Sequence, residues 1–270
     1  MKSAAQRPIV DGATQLYGII GDPIVQAKSP EVFTARFQAA AVNAVLVPMH
    51  VKPESFDQTV RGLKALANLH GIIATIPYKS RILEFVDRVL PTGRRVGAIN
   101  AMRREPDGRW TGDMFDGKGL VAGLRANGVE LRGQRVMLLG AGGAGSAIAD
   151  ALAEAGVAAI TLFDQDGAKA VRLAERIAHE HPSSSCRVAA PTIEGQDVLI
   201  NATPVGMLPT DGLPADFTSF HAQLFVVDIV PGTENTSLLV RARSAGCRTM
   251  AGREMVNGQV EEIMRFFGVG

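Results

Sequence analysis

Cysteine is scarce in this 270-residue chain: only Cys186 and Cys247 are present, and neither belongs to a C-x-x-C pair. Two cysteines are too few for a disulfide framework, and their spacing is not that of a metal site. A reducing, cytoplasmic location is therefore expected. The five histidines, at positions 50, 70, 179, 181 and 221, form no H-x-x-x-H or H-E-x-x-H pattern. We predict neither a metal site nor a catalytic histidine.

Charge of one sign and long apolar runs are also missing. The formal net charge is +1, so the chain lacks the basic footprint of a nucleic-acid-binding protein. The first residues lack the run of roughly 7–15 apolar residues found in a secretory signal. With 46% hydrophobic and 20% charged residues, the composition is that of a globular protein without a membrane span. We expect neither a nucleic-acid nor a membrane partner, and the length suggests two domains.

A glycine-rich stretch near the middle of the chain indicates a dinucleotide site. The apolar run Arg135–Leu139 predicts a strand, and Ala144–Ala155 has small and apolar residues at helical spacing. Between them the glycines match G-x-G-x-x-G, a pattern that allows a tight turn, close approach to a diphosphate and close helix packing. The candidate cofactor-binding residues of this loop are Gly140, Ala141, Gly142, Gly143, Ala144 and Gly145.

The next strand ends in an acidic residue that indicates which cofactor is bound. Ala158–Phe163 leads into Asp164, 19 residues after Gly145, where an acid binds the adenosine ribose of NAD. Asp166 adds a second carboxylate, and a 2′-phosphate of about two negative charges would be repelled. We therefore predict NAD rather than NADP. The alternative is that Asp164 only caps the helix that begins near Gly167.

Strands and helices alternate along the chain, which predicts an α/β fold with parallel sheets covered on both faces. We expect an N-terminal, mostly parallel α/β substrate domain, residues 1–113 plus 247–270, to which the C-terminal helix returns. Residues 114–246 would form a Rossmann-type doubly wound dinucleotide-binding domain. Within the first domain the pattern predicts helices at Glu54–Leu69 and Arg81–Leu90, and a hairpin around Pro106-Asp107-Gly108.

Seven short segments in family order resemble the shikimate dehydrogenase family over nearly the whole chain. They are Gly21-Asp22-Pro23-Ile24 with Lys28-Ser29-Pro30, Thr75-Ile76-Pro77-Tyr78-Lys79, Gly97-Ala98-Ile99-Asn100, Gly112 with Asp116-Gly117, Asn201-Ala202-Thr203 with Gly206-Met207, Asp228-Ile229-Val230, and Met255 with Gln259. The resemblance implies a nicotinamide-dependent dehydrogenase that interconverts shikimate and 3-dehydroshikimate. Its small-molecule ligands would be cyclohexene or cyclohexane carboxylates.

The resemblance also assigns roles to individual residues. Lys79 and Asp116 would be the catalytic pair. Oxidation of a secondary alcohol requires a group that takes the hydroxyl proton, here Lys79, and a second group, here Asp116, that holds the lysine amine and the hydroxyl in line. A solvated lysine and a helix-capping aspartate are the alternative interpretations. The remaining assignments are substrate-binding Ser29, Thr75, Asn100 and Gln259, and cofactor-binding Asn201, Ala202, Thr203 and Met255.

The chain departs from the family at pocket positions: Ala27, Ile73, Met114-Phe115 and Pro231 stand where polar residues are usual. Three lost hydrogen bonds of about 0.5–1.5 kcal/mol each correspond to roughly a ten- to thousandfold loss of efficiency. We therefore expect poor turnover of shikimate. Quinate or aminoshikimate dehydrogenase and a non-catalytic NAD-binding protein remain alternatives. The chain ends soon after Phe267, so an exposed apolar surface that forms a homodimer is a further expectation.

Overall fold

The computed structural model describes residues 10–208, 210–217 and 220–269, so the first nine residues, which were examined above for a secretory signal, lie outside it. The chain divides into two compact units. The first holds the chain up to Leu90, Ile99–Asp113 and the residues from Val260 onward; the second holds Pro91–Ala98 and Met114–Gln259. Within the described ranges, no helix has the length and apolar character needed to cross a membrane.

The first unit is built on a six-stranded mixed sheet. Its elements are β1 (Gln15–Gly21), α1 (Ser29–Ala39), β2 (Ala44–His50), α2 (Phe56–Lys64), β3 (Leu69–Ala74), β4 (Arg88–Val89), β5 (Ala101–Arg104) and β6 (Trp110–Asp113), with 3-10 turns at Pro53–Ser55 and Arg81–Phe85. The strand order is β2-β1-β3-β5-β6-β4. The β1 pairs with β2 and β3 are parallel, whereas β5 and β6 form the predicted antiparallel hairpin.

Aromatic residues fill the core on both faces of this sheet. Phe56 of α2 stacks on Tyr78 with ring centroids 4.1 Å apart. On the α1 side, Tyr17 of β1 lies 4.7 Å from Phe37 and 4.8 Å from Phe267, measured between ring centroids. Because Phe267 comes directly after the last helix, this contact fastens the chain end to the first unit, as the predicted return of the C-terminal helix requires.

Of two predicted helices of this unit, one is too long and the other is wrong, because strand pairing overrides the local pattern. The predicted helix Glu54–Leu69 ends at Lys64, since Leu69 is fully buried as the first residue of β3. The predicted helix Arg81–Leu90 is a short 3-10 turn followed by β4, which pairs with β6. Pairing partners so distant in sequence leave no periodic signal in the segment itself.

The second unit is a doubly wound sheet of six parallel strands. Its elements are α3 (Pro91–Val96), α4 (Asp116–Ala126), β7 (Arg135–Leu139), α5 (Gly143–Glu154), β8 (Ala159–Phe163), α6 (Gly167–Glu180), β9 (Ser185–Val188), β10 (Val198–Asn201), β11 (Phe225–Asp228), α7 (Ser237–Ser244) and β12 (Arg248–Ala251). Helix α8 (Gly252–Phe266) begins in this unit. The order β9-β8-β7-β10-β11-β12 is the 3-2-1-4-5-6 arrangement of Rossmann folds. The predicted fold class is thus confirmed.

The end of this sheet differs from the sequence-based boundary. Arg248–Ala251 was expected to lie in the first domain, but it forms β12 and pairs in parallel with β11. The second unit therefore extends to Gln259, and it also takes in α3. A four-residue strand at a sheet edge, with one polar end, is too short to give a clear periodic signal.

A buried carboxylate fastens α3 to α5 in the second unit. The Arg95 guanidinium donates two hydrogen bonds to Asp150, at 3.1 and 2.9 Å, and the ring of His181 lies 2.8 Å from the same carboxylate. Burial by itself raises the pKa of Asp150, but the hydrogen bonds from Arg95 and His181 outweigh it and lower the pKa. The stabilisation is therefore present above the ordinary carboxyl pKa and is lost as the pH falls through the folded-state value.

Candidate dinucleotide site and catalytic residues

Of the three glycines of the motif between β7 and the first turn of α5, two are required sterically and the third leaves open space. Gly140 has φ +97°, a left-handed conformation, and a Cβ there would lie 2.8 Å from the Ala202 carbonyl oxygen. A Cβ on Gly145 would lie 1.9 Å from the Gly140 carbonyl oxygen, so only glycine allows the helix to start so close to the strand. Nothing lies within 4 Å of a Cβ built on Gly142. This open side is the one that a ligand can approach.

The start of α5 supplies the donors for such a ligand. Gly142 takes the N-cap position and no side chain caps the helix, so the first backbone N–H groups have no side-chain partner. Free N–H groups and the positive end of the helix dipole favour an anion. The loop therefore fits the diphosphate of a dinucleotide.

Asp164 is held against this loop by backbone hydrogen bonds. One of its carboxylate oxygens accepts from the Ala141 N–H at 2.7 Å, and the other accepts from the Asp166 N–H at 2.8 Å. The N-cap of α6 is Asp166, whose side chain accepts from the Lys169 N–H. The interpretation of Asp164 as only a helix cap is therefore wrong. It ties the end of β8 to the glycine-rich loop.

The loop after β10 packs directly on the glycine-rich loop. Besides the close contact of Ala202 with Gly140, the Thr203 nitrogen would lie 3.1 Å from a Cβ on Gly140. Asn201 is fully buried, and its side-chain carbonyl accepts from both the N–H and the hydroxyl of Thr203. Its amide donates to the Val205 carbonyl and to Asp228, both at 3.0 Å. The buried side chain of Asn201 thus fixes the conformation of this loop through its hydrogen bonds.

Asp228 at the end of β11 is a buried carboxylate to which sequence reasoning assigned no role. It is 1% exposed and accepts hydrogen bonds from Asn201, the Val230 N–H and the Thr236 hydroxyl, the last at 2.7 Å. Burial raises the pKa of Asp228, against the effect of its three donors. The sequence signal available for Asp228 was an acidic residue at the carboxyl end of an apolar strand.

Helices α4 and α8 cross at glycines, which brings two predicted site residues into one region of the second unit. A Cβ on Gly258 would lie 2.3 Å from the Gly119 carbonyl oxygen, and one on Gly119 would lie 2.8 Å from the Gln259 Cβ. Gln259 is 7% exposed. Asp116 is one turn before Gly119 on α4, so it shares a helix face with the crossing. Met255, 6% exposed, belongs to the apolar core of this unit.

Asp116 is the first residue of α4, and Phe115 takes the N-cap position. Its side chain is buried, with 2% exposure for the residue. A carboxylate in the first turn is favoured by the helix dipole. The buried carboxyl group of Asp116 thus lies at the positive end of the helix dipole.

In the first unit, three predicted residues come together at the carboxyl ends of β1 and β3. The Thr75 N–H donates to the Ile20 carbonyl, and the Asn100 carbonyl accepts from the Ala74 N–H at 2.8 Å. The Ile99 N–H donates to the Lys79 carbonyl, also at 2.8 Å, so Lys79 lies beside the chain that carries Asn100. This edge is where parallel sheets place ligand clefts.

Neighbouring contacts hold the lysine segment and α1. Tyr78 donates its hydroxyl to the Val51 carbonyl and stacks on Phe56, which fixes the residue before Lys79. Ser29, assigned to the substrate by the resemblance, is the first residue of α1, since Lys28 takes the N-cap position without a side-chain cap bond. The Ser29 side chain is therefore not required as a cap.

The residues that depart from the family pattern are mostly packed into the structure. Met114 lies in an apolar cluster of the second unit, and Ile73 is 5% exposed within β3 of the first. Phe115 is 4% exposed. Among the residues described in the structure, no group of three or more His, Cys, Asp or Glu side chains is arranged to hold a metal ion.

A Rossmann sheet with this glycine loop defines a dinucleotide-binding α/β protein. The family model described as the shikimate dehydrogenase substrate binding domain matches residues 19–102. The ThiF family model matches residues 122–181, which span the glycine-rich unit. A shikimate dehydrogenase (NADP(+)) of Rubrobacter xylanophilus is 36% identical, with 96% of this chain and 92% of the relative covered.

Solved structures agree in fold over nearly the same span. Shikimate 5-dehydrogenase of Listeria monocytogenes, in complex with shikimate and NAD, has a TM-score of 0.83 at 28% identity, covering 96% of this chain and 93% of the other. Quinate dehydrogenase of Corynebacterium glutamicum, in complex with NAD, has a TM-score of 0.82 at 27% identity, covering 94% and 93%. The chain belongs to the shikimate dehydrogenase family of oxidoreductases. Its cofactor is a nicotinamide dinucleotide.

Proposed function

We propose that this protein is an NAD-dependent dehydrogenase that oxidises the 3-hydroxyl of shikimate, or of a close analogue, to the ketone. The observation that carries the proposal is the pair of hydrogen bonds that holds Asp164 at the glycine-rich loop. A bound nicotinamide would supply the hydride acceptor for oxidation at the carbinol carbon. The protein's own residues hold the cofactor, orient the substrate and move the hydroxyl proton.

The cofactor half of the proposal rests on charge. The loop residues Gly140–Gly145 hold the diphosphate, while Asp164 accepts hydrogen bonds from the adenosine ribose hydroxyls. Asp166 lies two residues on, and Lys169 is 3.8 Å from it, so this cation is already close to a carboxylate. A 2′-phosphate would meet two negative charges here. Ala202, Thr203 and Met255 complete the cofactor site, and Asn201 sets the loop that carries the first two.

Lys79 and Asp116 are assigned the proton transfer. In alcohol oxidation, the neutral amine of Lys79 takes the hydroxyl proton as hydride leaves the carbon; in ketone reduction, the ammonium returns it. Asp116 orients the lysine and the hydroxyl. The two residues belong to different compact units. The assignment is supported by the fixed backbone around Lys79 and by the buried first-turn position of Asp116.

Substrate recognition is assigned to Ser29, Thr75, Asn100 and Gln259, which would bond the ring hydroxyls and the carboxylate. The lowered efficiency with shikimate rests on Ala27, Ile73 and Pro231, because Met114 packs in a core cluster. Two relatives act on different acids, and the quinate dehydrogenase is in complex with NAD. Quinate or aminoshikimate is therefore the second substrate candidate.

Cofactor preference tests the proposal directly. With shikimate or quinate saturating, we expect a higher kcat/KM with NAD than with NADP. Asp164→Ala should lower the NAD value about 10- to 100-fold, because hydrogen bonds to a charged group contribute about 1.5–3 kcal/mol. It should raise the NADP value, because one of the two carboxylates that repel the 2′-phosphate is removed. Asp164→Asn is the closer variant, since it removes the charge and keeps an acceptor oxygen for one of the two backbone N–H groups, that of Ala141 or that of Asp166. Equal or better efficiency with NADP in the unmodified enzyme refutes the assignment.

A further inference from the structure

Asp228, Asn201 and Thr236 form a buried polar network of the second unit, in which only Asn201 has been given a role above. Asp228, Asn201 and Thr236 are 1%, 0% and 4% exposed. One Asp228 oxygen accepts from the Asn201 amide and the Val230 N–H, and the other accepts from the Thr236 hydroxyl. The carboxylate is thus enclosed by donors on β10, on the segment after β11 and at the start of α7.

These contacts continue without a gap to the glycine-rich loop. Asn201 holds the Thr203 N–H at 3.0 Å and the Thr203 hydroxyl at 2.7 Å, and the same hydroxyl accepts from the Val205 N–H. Ala202, between them, leaves only glycine-sized space at Gly140. A shift of Asn201 would therefore move the residues that contact the dinucleotide loop.

The segment that the Asp228 carboxylate fixes also lies against the start of α8. A Cβ on Gly252 would lie 2.8 Å from the Ile229 carbonyl oxygen and 3.0 Å from that of Val230, so α8 begins in close contact with the segment that Asp228 fixes. Met255 is in the first turn of that helix.

We propose that Asp228 is a positioning residue of the cofactor site: through Asn201 it sets the Asn201–Val205 loop against Gly140, and through Val230 it sets the start of α8. The proposal rests on the cofactor part of the proposed function. At 1% exposure, Asp228 acts through these neighbours and not through direct contact with a ligand.

The cost of the buried charge argues that it is not there for stability. Burial raises the pKa of Asp228, so the native state holds the proton more tightly than the unfolded chain does. Ionisation therefore costs stability as the pH rises through the folded-state pKa. An uncharged isostere would avoid this cost. In Asp228→Asn the amide carbonyl can keep the two bonds from Asn201 and Val230, and the amide N–H can donate to Thr236.

The test compares Asp228→Ala, Asp228→Asn and Asn201→Ala in the full chain, with the dissociation constant of NADH, from the change in its fluorescence on binding, and Tm as readouts. We expect Asp228→Ala and Asn201→Ala to weaken NADH binding about tenfold or more, corresponding to about 1.4 kcal/mol or more. Asp228→Asn should bind within about threefold of the unmodified protein, with Tm at neutral pH unchanged or higher. The double alanine variant should bind NADH no more weakly than Asp228→Ala alone, since Asn201 acts through the loop that Asp228 also sets.

Ser184→Ala is the matched control, because Ser184 is a buried hydroxyl of the same unit that bonds to Ala153 and Val157. It should lower Tm without changing NADH affinity. Unchanged NADH affinity in folded Asp228→Ala would overturn the proposal. If that variant does not fold, unchanged affinity in Asn201→Ala overturns it equally. NADH binding is measured without turnover. Failure of the enzyme to oxidise any of the proposed substrates would therefore refute the proposed function without affecting this test.

Discussion

Replacing Lys79 with methionine is expected to lower kcat about 10²- to 10⁴-fold, the range that general acid–base catalysis contributes. Methionine keeps the length and apolar stem of lysine but can neither take nor return a proton. The NADH dissociation constant should stay unchanged, since the glycine-rich loop belongs to the other compact unit. Steady-state oxidation rates and fluorescence binding separate the two quantities.

Lys64→Met is the control for this variant. Lys64 lies in the same unit at the end of α2, where its ammonium donates to the Phe85 carbonyl. It should lose some stability and keep its kcat. An unchanged kcat in Lys79→Met would remove the proposed acid–base assignment, whatever the cofactor proves to be.

Asp116→Asn is expected to lower kcat about 10²- to 10³-fold with little loss of stability. The amide has nearly the same shape, and removal of a 2% exposed charge relieves its desolvation. It cannot hold an ammonium and a hydroxyl in line as a carboxylate does. If Lys79 and Asp116 act as a unit, the double variant should be little slower than Lys79→Met alone.

Asp113→Asn is the matched control, because Asp113 is also buried, at 6% exposure, and ends β6 three residues earlier. It should keep a kcat within a few fold of the unmodified enzyme.

Multiplicative losses of kcat in the Lys79 and Asp116 double variant would mean that the two residues act independently, contrary to the pair proposed here.

Local patterns were enough for the dinucleotide loop. The Rossmann unit could be predicted because the spacing of Gly140, Gly142 and Gly145 reflects contacts within one strand–turn–helix segment. Helix α4 begins at Asp116, and the interpretation of that aspartate as a residue at a helix start used local signals as well. The positions of the glycines in this loop could therefore be predicted from the sequence.

Features that depend on partners distant in the sequence could not be predicted from local patterns. Leu69 fits a helical periodicity after Leu63 and Leu66, yet it begins β3 because it pairs with Leu16 of β1. β4 and β12 exist only as partners of β6 and β11. The role of Asp228 depends on donors from three segments, and nothing within Asp228-Ile229-Val230 indicates them.

The proposed preference for NAD distinguishes this chain from relatives of the same family that are named for NADP(+). The reason is local: Asp164 and Asp166 occupy the end of β8 and the start of α6, and both carboxylates are committed to backbone N–H groups. Neither can turn away from an incoming 2′-phosphate without uncapping α6 or releasing the glycine-rich loop.

The central claim is that this protein oxidises a cyclic hydroxy acid with NAD. Its most direct test is NADH formation, followed by fluorescence, when the purified enzyme is mixed with NAD and either shikimate, quinate or aminoshikimate. We predict turnover of at least one of these acids, with shikimate about ten- to a thousandfold less efficient than expected of a fully hydrogen-bonded pocket. NAD binding without NADH formation from any of them would contradict the account and identify a non-catalytic NAD-binding protein.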